Sequence, residues 1–283
     1  MNSDKVIRLQ TALTALGHEP GMIDGLLGPK TIAAAARFMW LEHGDARVAK
    51  AAYEKLRPTV VPDVTISGID VSAYQGTVDW RKVAGAGYQF AWVKCSEGTT
   101  HKNSGRQKRL DGARAFGIPV GGYHYALPKT YRNIGLKDAE REAANFLRCY
   151  GTPQPDDLVP ALDLESGLIK GAKNHNYNVE WTLRWCEIIK KELGCSPIIY
   201  TARWATQSRI IKADKALLDE LKTYRLWWAE YRSESTKEPR KNMFPWTTWD
   251  AWQWTGSGKV PGVKGGCDVN RMRASSLEGL KIS

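Results

Sequence analysis

From Ile66 onward the chain alternates short apolar runs with longer amphipathic stretches, and this alternation constrains its fold more than any other feature. The runs are Gly68–Ser72, Phe90–Lys94, Val120–Tyr125, Val159–Leu164, Ile198–Thr201, Leu226–Glu230, Ala251–Trp254 and a last one around Asp268. Between them, Lys137–Tyr150 sets Ala139, Ala143, Phe146 and Leu147 on one helical face. Val179–Leu193 does the same with Val179, Leu183, Cys186 and Ile189. Strands that alternate with helices predict parallel strands joined by crossovers. Eight of them in about 215 residues predict a barrel of the (β/α)8 kind. The segments joining the last three strands are too short or too polar for full helices, so the barrel is expected to be irregular.

Residues 1–57 read differently, as a small all-α domain of three helices. Val6, Leu9, Leu13 and Leu16 recur at helical spacing, and Gly17 closes that helix. A turn follows at Pro20-Gly21-Met22-Ile23-Asp24-Gly25. Gly28-Pro29 then opens a second helix with proline in its first turn. Gly44 ends it, and Arg47 to Leu56 make a third. Residues 58–65 hold two prolines and several β-branched residues and read as a short stiff linker. The rest, 66–283, is the barrel domain.

Charge and composition narrow the partners. The chain carries 41 Lys and Arg against 30 Asp and Glu, a formal charge of +11, which favours polyanions. The basic residues are scattered, and neither zinc-finger spacing nor an RNP-type motif accompanies them, so no nucleic-acid partner is expected. Twelve tryptophans lean toward carbohydrate, since sugar clefts use aromatic faces, although packing a core uses them equally well. No apolar run is long enough to span a membrane. The opening Met1-Asn2-Ser3-Asp4-Lys5 leads into an amphipathic pattern, so no secretory signal peptide is expected. Five cysteines without a CxxC predict free, mostly buried thiols.

In a parallel barrel the chemistry sits at the C-terminal ends of the strands. The runs finish in Asp70, Glu97, His124 and Tyr125, Asp163 and Glu165, Glu230, Gln253 and Trp254, and Asp268. Asp163 and Glu165 are the sharpest pair. At positions i and i+2 of a strand they face the same way, and two carboxylates in one pocket repel, so one holds its proton to higher pH. Glycoside cleavage needs that inequality: an acid for the leaving oxygen and negative charge for an oxocarbenium-like transition state. A hard cation held by Asp70, Asp163, Glu165 and Asp268, with His124 joining, is the rival reading. No HExxH, EF-hand loop or phosphate-cradling loop accompanies them, so the set is read as metal-free. Tyr125, Glu97, His124, Glu230 and Gln253 are candidate substrate contacts. Trp228 and Trp254 read equally as sugar platforms or core.

These segments resemble the glycoside hydrolase family 25 muramidases, the Chalaropsis-type lysozymes. The blocks are Gly68-Ile69-Asp70-Val71-Ser72 with Gln75-Gly76, Phe90-Ala91-Trp92-Val93-Lys94 with Glu97-Gly98, and Gly121-Gly122-Tyr123-His124-Tyr125. Leu162-Asp163-Leu164-Glu165, Leu226-Trp227-Trp228-Ala229-Glu230-Tyr231, Trp252-Gln253-Trp254-Thr255 and Asp268-Val269-Asn270 complete the series in order. The resemblance implies a flattened barrel that cleaves between N-acetylmuramic acid and N-acetylglucosamine without a cofactor. It makes Glu165 the proton donor and Asp163 its partner, with Asp70 and Asp268 completing the acidic set. The sequence departs from the family at Cys95-Ser96 and at His101-Lys102-Asn103-Ser104, both expected at the cleft rim. Residues 5–57 resemble a three-helix peptidoglycan-binding domain through Asp24-Gly25, Gly28-Pro29 and Thr31, although those turns also make sense as turn chemistry alone. The two parts together resemble a bacteriophage endolysin. That implies a monomer acting on peptidoglycan, held in the host cytoplasm until a separate membrane-permeabilising protein gives it access to the wall.

Overall fold

The computed structural model describes residues 3–17, 31, 34–35, 65–129 and 135–282. The chain divides into two compact units, Met1–Pro62 and Asp63–Ser283. In the first, helix α1 (Ser3–Ala15) packs Leu13 against Ala34 and Ala35, and Gln10 donates to the Thr31 hydroxyl at 3.1 Å in the interior. Gly17 follows with a positive φ of 79°, as a helix end requires, while Leu16 stays exposed rather than joining the core. The expected positions Asp24, Gly25, Gly28 and Pro29 and most of the linker lie outside the described residues.

The second unit is a closed barrel. Its strands are β1 (Thr65–Val71), β2 (Tyr88–Glu97), β4 (Val120–Tyr125), β5 (Ala161–Leu164), β6 (Ile198–Ala202), β7 (Leu226–Ala229), β8 (Ala251–Gly258) and β9 (Cys267–Arg273); the short β3 (His101–Lys102) folds back on β2. Going round, β1 pairs with β2, and the order runs β2, β4, β5, β6, β7, β8, β9 and back to β1. Helices α2 (Trp80–Gly85), α3 (Arg106–Ala115), α4 (Lys137–Tyr150) and α5 (His175–Leu193) cross between the early strands. Two short ones, α6 (Arg203–Arg209) and α7 (Lys215–Leu221), join β6 to β7. Among the described residues no helix separates β7, β8 and β9, and α8 (Ala274–Leu280) follows the last strand. No described helix is long and apolar enough to cross a membrane.

One expectation is corrected. The barrel is not wholly parallel: β9 runs antiparallel to both β8 and β1. The connection from β8 to β9 is a hairpin, too short for the crossover that parallel pairing demands. The reversal has a consequence for chemistry, because it brings the start of β9 to the rim where the other strands end.

Strand alternation sorts side chains into two cores. Phe90, Trp92, Ala161, Ile198, Tyr200, Trp227, Ala251 and Met272 fill the interior, and Trp92 stacks on Trp227 with ring centres 4.4 Å apart. Val93, Leu162, Ile199, Trp228, Trp252 and Val269 belong to the second core, between barrel and helices, with Phe146, Trp181 and Trp185. Glycines make room for the interior plug. A Cβ on Gly68 would sit 2.4 Å from the Phe90 ring, and one on Gly121 would sit 2.7 Å from Trp92. All five cysteines are free, and four are buried.

Candidate active site

Above the aromatic plug, at the rim where the parallel strands end, lies a pocket of about 270 Å³. Four carboxylates reach it: Asp70 from β1, Asp163 from β5, Glu165 one residue past β5, and Asp268 from the start of β9. Asp70 and Asp268 are register partners on adjacent antiparallel strands. A second rung aligns Tyr125, Asp163, Tyr200 and Trp227 side by side across four strands. Lys94 is the one cation among the described lining residues. Its ammonium is 2.6 Å from Glu97 and 4.6 Å above the Tyr125 ring.

The pocket holds its acids in different states. Burial, with the Glu165 charge second, pushes the Asp163 carboxyl well above the usual carboxylate range, against the pull of Lys94. Its Oδ1 is buried without a hydrogen-bond partner among the described residues. Burial also raises Asp70, to about 6, although Asn270 and Gln253 donate to its Oδ2 at 2.8 and 3.0 Å and oppose the shift. Asp268 rises to about 8 through burial and then the charges of Asp70 and Glu165. The donors to Asp70 are themselves fixed. Trp227 Nε1 donates to Asn270 Oδ1 at 2.8 Å, and the Tyr200 hydroxyl donates to Gln253 Oε1 at 2.9 Å. A chain of hydrogen bonds thus runs from the plug to Asp70.

These raised acids oppose stability at neutral pH. Each binds its proton more tightly in the folded chain than in the unfolded one, so stability present at acid pH is lost as pH rises through the folded values. For Asp268 the window runs from its ordinary 3.8 to about 8. Asp268→Asn should therefore gain about 1–3 kcal/mol at pH 8 and almost nothing at pH 4. Urea titrations of both proteins at the two pH values would measure this; an equal effect at both would refute it.

The remaining strand-end candidates divide by the direction they face. Tyr125 and Gln253 line the pocket. His124 does not. It lies one position out of phase with Tyr123 and Tyr125, is fully buried, and points at α4. There its Nδ1 is 2.7 Å from Ser96 Oγ and its Nε2 is 2.9 Å from Glu142 Oε2, with Trp185 stacked on the ring. Burial lowers the imidazole to about 3 and lifts Glu142 to about 8, both favouring uncharged partners. Trp228 is likewise fully buried in the outer core, and its neighbour Trp227 takes the inward place. A single residue reverses the face. Trp254 is part-buried against the outer core with Arg271 over its ring at 5.0 Å. Glu230 is flanked by Arg232 and Arg240 at 3.8 and 3.7 Å, and Glu97, part-exposed and not among the lining residues, pairs with Lys94. Cys95 and Ser96 belong to the outer core rather than the cleft rim. In the first unit, Thr31 is buried and serves that unit's own packing instead of an exposed contact.

Sequence reasoning gave no site role to Lys94, Tyr123, Tyr200 and Trp227, nor to Ser72, Tyr74, Gln75 and Tyr231 at the rim. The first four carry a signal: counted in twos along their strands, each falls in phase with interior residues. The rim group lies in turns, where no period applies.

Residues 69–263 match the family described as glycosyl hydrolases family 25. Lysozyme M1 of Streptomyces globisporus is 29% identical over 226 residues, covering 77% of this chain and 71% of that protein. An N,O-diacetylmuramidase of Arthroderma benhamiae is 37% identical over 143 residues, which is 49% of this chain and 58% of the other. The solved structure of a bacterial lysozyme from Streptomyces coelicolor matches with a TM-score of 0.63 at 25% identity, over 76% of this chain and 96% of the other.

Proposed function

The chain belongs to glycosyl hydrolases family 25, and from that premise we propose that it is an endolysin-type N-acetylmuramidase. It hydrolyses the β-1,4 bond between N-acetylmuramic acid and N-acetylglucosamine in peptidoglycan. The observation that carries this reading is the pocket itself: four carboxylates around one opening, with Asp163 holding a proton far above its ordinary range.

In this reading Glu165 gives the proton to the leaving oxygen. It lies beyond the end of β5 and is the less buried of the pair. Asp163 is its inner partner, two residues back at the end of β5 and facing the same pocket. Asp70, its carboxyl raised only to about 6, places negative charge beside the anomeric carbon as positive charge develops there, and Asp268 completes the acidic set. Attack on that carbon comes from a carboxylate or from the acetamido oxygen of the substrate itself, followed by water. The network from Trp227 and Tyr200 keeps Asp70 in place without a change of geometry during the reaction.

The first unit acts as the wall-binding domain through Asp24, Gly25, Gly28 and Pro29, concentrating a monomeric enzyme on peptidoglycan. Its setting is the host cytoplasm before release and the cell wall after it, with a separate membrane-permeabilising protein giving access. Digestion of purified sacculi tests the chemistry. New reducing ends on muramic acid are expected, whereas 1,6-anhydro ends would mean that no water was added and would reject hydrolysis.

A further inference from the structure

Two exposed aromatic rings border the acid pocket, and the fold holds both in place. Large apolar or aromatic side chains left substantially exposed are few among the described residues, and of these only Tyr74 and Tyr231 line the pocket. Tyr74 is 95% exposed and Tyr231 is 64% exposed. Around the barrel β9 and β8 separate β1 from β7, so the two tyrosines, one beyond β1 and one beyond β7, flank the strand that carries Asp268.

Neither ring sits on a loose loop. Tyr74 is the middle residue of a single 3-10 turn, Ala73–Gln75. Ser72 N–H donates to Gln75 Oε1 at 2.8 Å, and Tyr74 N–H donates to Ser72 Oγ at 3.2 Å. Gln75 Nε2 reaches Gly266 O at 3.4 Å, just before β9, and Arg109 of α3 donates to Gly76 O at 3.1 Å. The turn is braced from both sides while its one aromatic ring faces solvent. Tyr231 is clamped through its neighbours: Glu230 N–H donates to Gln253 O at 3.1 Å and Arg232 N–H to Trp254 O at 2.9 Å. Its ring rests on Gly256, where an added Cβ would lie 2.8 Å from the Tyr231 hydroxyl and 3.1 Å from Asp268 Oδ1.

We propose that Tyr74 and Tyr231 form an aromatic lip on which sugar rings of the glycan strand stack, on either side of Asp268. The inference rests on the glycan-cleaving reading and adds where the strand lies. A pyranose has an apolar C–H face that suits a fixed, uncharged ring. A tyrosine loses little conformational freedom when covered, having few side-chain torsions to fix.

The test uses the full chain and glycan strands stripped of their stem peptides by an amidase. Tyr74→Ala should raise KM on these strands about tenfold, the value of covering one ring face, with the loss in KM rather than kcat. Tyr74→Trp should restore KM, and Tyr231→Ala should raise it similarly. Tyr74 is almost wholly exposed, so the melting temperature should stay that of the parent protein. If KM on stripped strands does not change, or changes only on strands that keep their peptides, the lip is not a sugar platform. If the parent chain cleaves no glycan at all, the enzymatic reading fails instead, and the two failures are separable.

Discussion

Replacing Glu165 with glutamine is expected to lower turnover on sacculi by about three orders of magnitude, the scale of a lost general acid. Glutamine keeps the size and polarity of the side chain but has no acidic proton to give. Glu165 sits past the end of β5, part-exposed at the mouth of the pocket, so its replacement leaves the packed barrel beneath intact. The variant should bind sacculi and melt like the parent. Asp163→Asn offers the contrast. Its side chain is buried, one oxygen lacks a partner among the described residues, and its carboxyl holds a proton well above the ordinary range. An amide there removes a group whose ionisation the fold opposes, so activity should fall while stability at neutral pH holds or rises. Reducing-end release and thermal melts on both variants would decide the matter. A Glu165→Gln protein with more than a tenth of parental turnover would remove Glu165 from the role of acid.

The second large effect concerns Trp227, which does two jobs. Its ring plugs the barrel, stacked on Trp92 at 4.4 Å and met edge-on by Tyr200 at 4.6 Å. Its N–H holds Asn270, which holds Asp70. Trp227→Ala should cost the barrel unit about 3–5 kcal/mol, since the cavity lies where surrounding strands cannot collapse into it. Trp227→Phe separates the two roles. It refills most of the plug but leaves Asn270 Oδ1 buried without its donor, at about 1–3 kcal/mol. Its activity should fall further than its stability suggests, because Asp70 loses a fixed partner. Urea unfolding of the barrel unit reads the first quantity and reducing-end assays the second. A Phe variant with parental activity would show that the Trp227–Asn270 bond does not position Asp70.

Much of the fold was legible because it depends on period and punctuation. The barrel strands overlap the short runs read along the chain, and α4 spans the same residues, Lys137–Tyr150, that the one-sided pattern of Ala139, Ala143, Phe146 and Leu147 marks out. The direction of β9 was not legible. Cys267-Asp268-Val269-Asn270 reads the same whether the strand arrives by crossover or by hairpin, and only closure against β1 fixes it. Facing was lost for a similar reason. Trp227-Trp228 and Tyr123-His124-Tyr125 supply a suitable residue for either side, so composition cannot tell inside from outside when one residue of shift exchanges them. His124 carries polar chemistry into the outer core because Ser96 and Glu142, distant in sequence, both reach it there.

By itself the sequence determined the eight barrel strands and the two long helices between them, the acidic character of the strand ends and the candidacy of Asp163 with Glu165, since these follow from neighbours a few residues apart. Tertiary structure alone decided that Asp268 faces Asp70, that Trp227 rather than Trp228 lies beneath the acids, and that burial holds a proton on Asp163. Those properties arise where segments remote in the chain enclose a space, and desolvation is a property of that space, not of any segment that borders it.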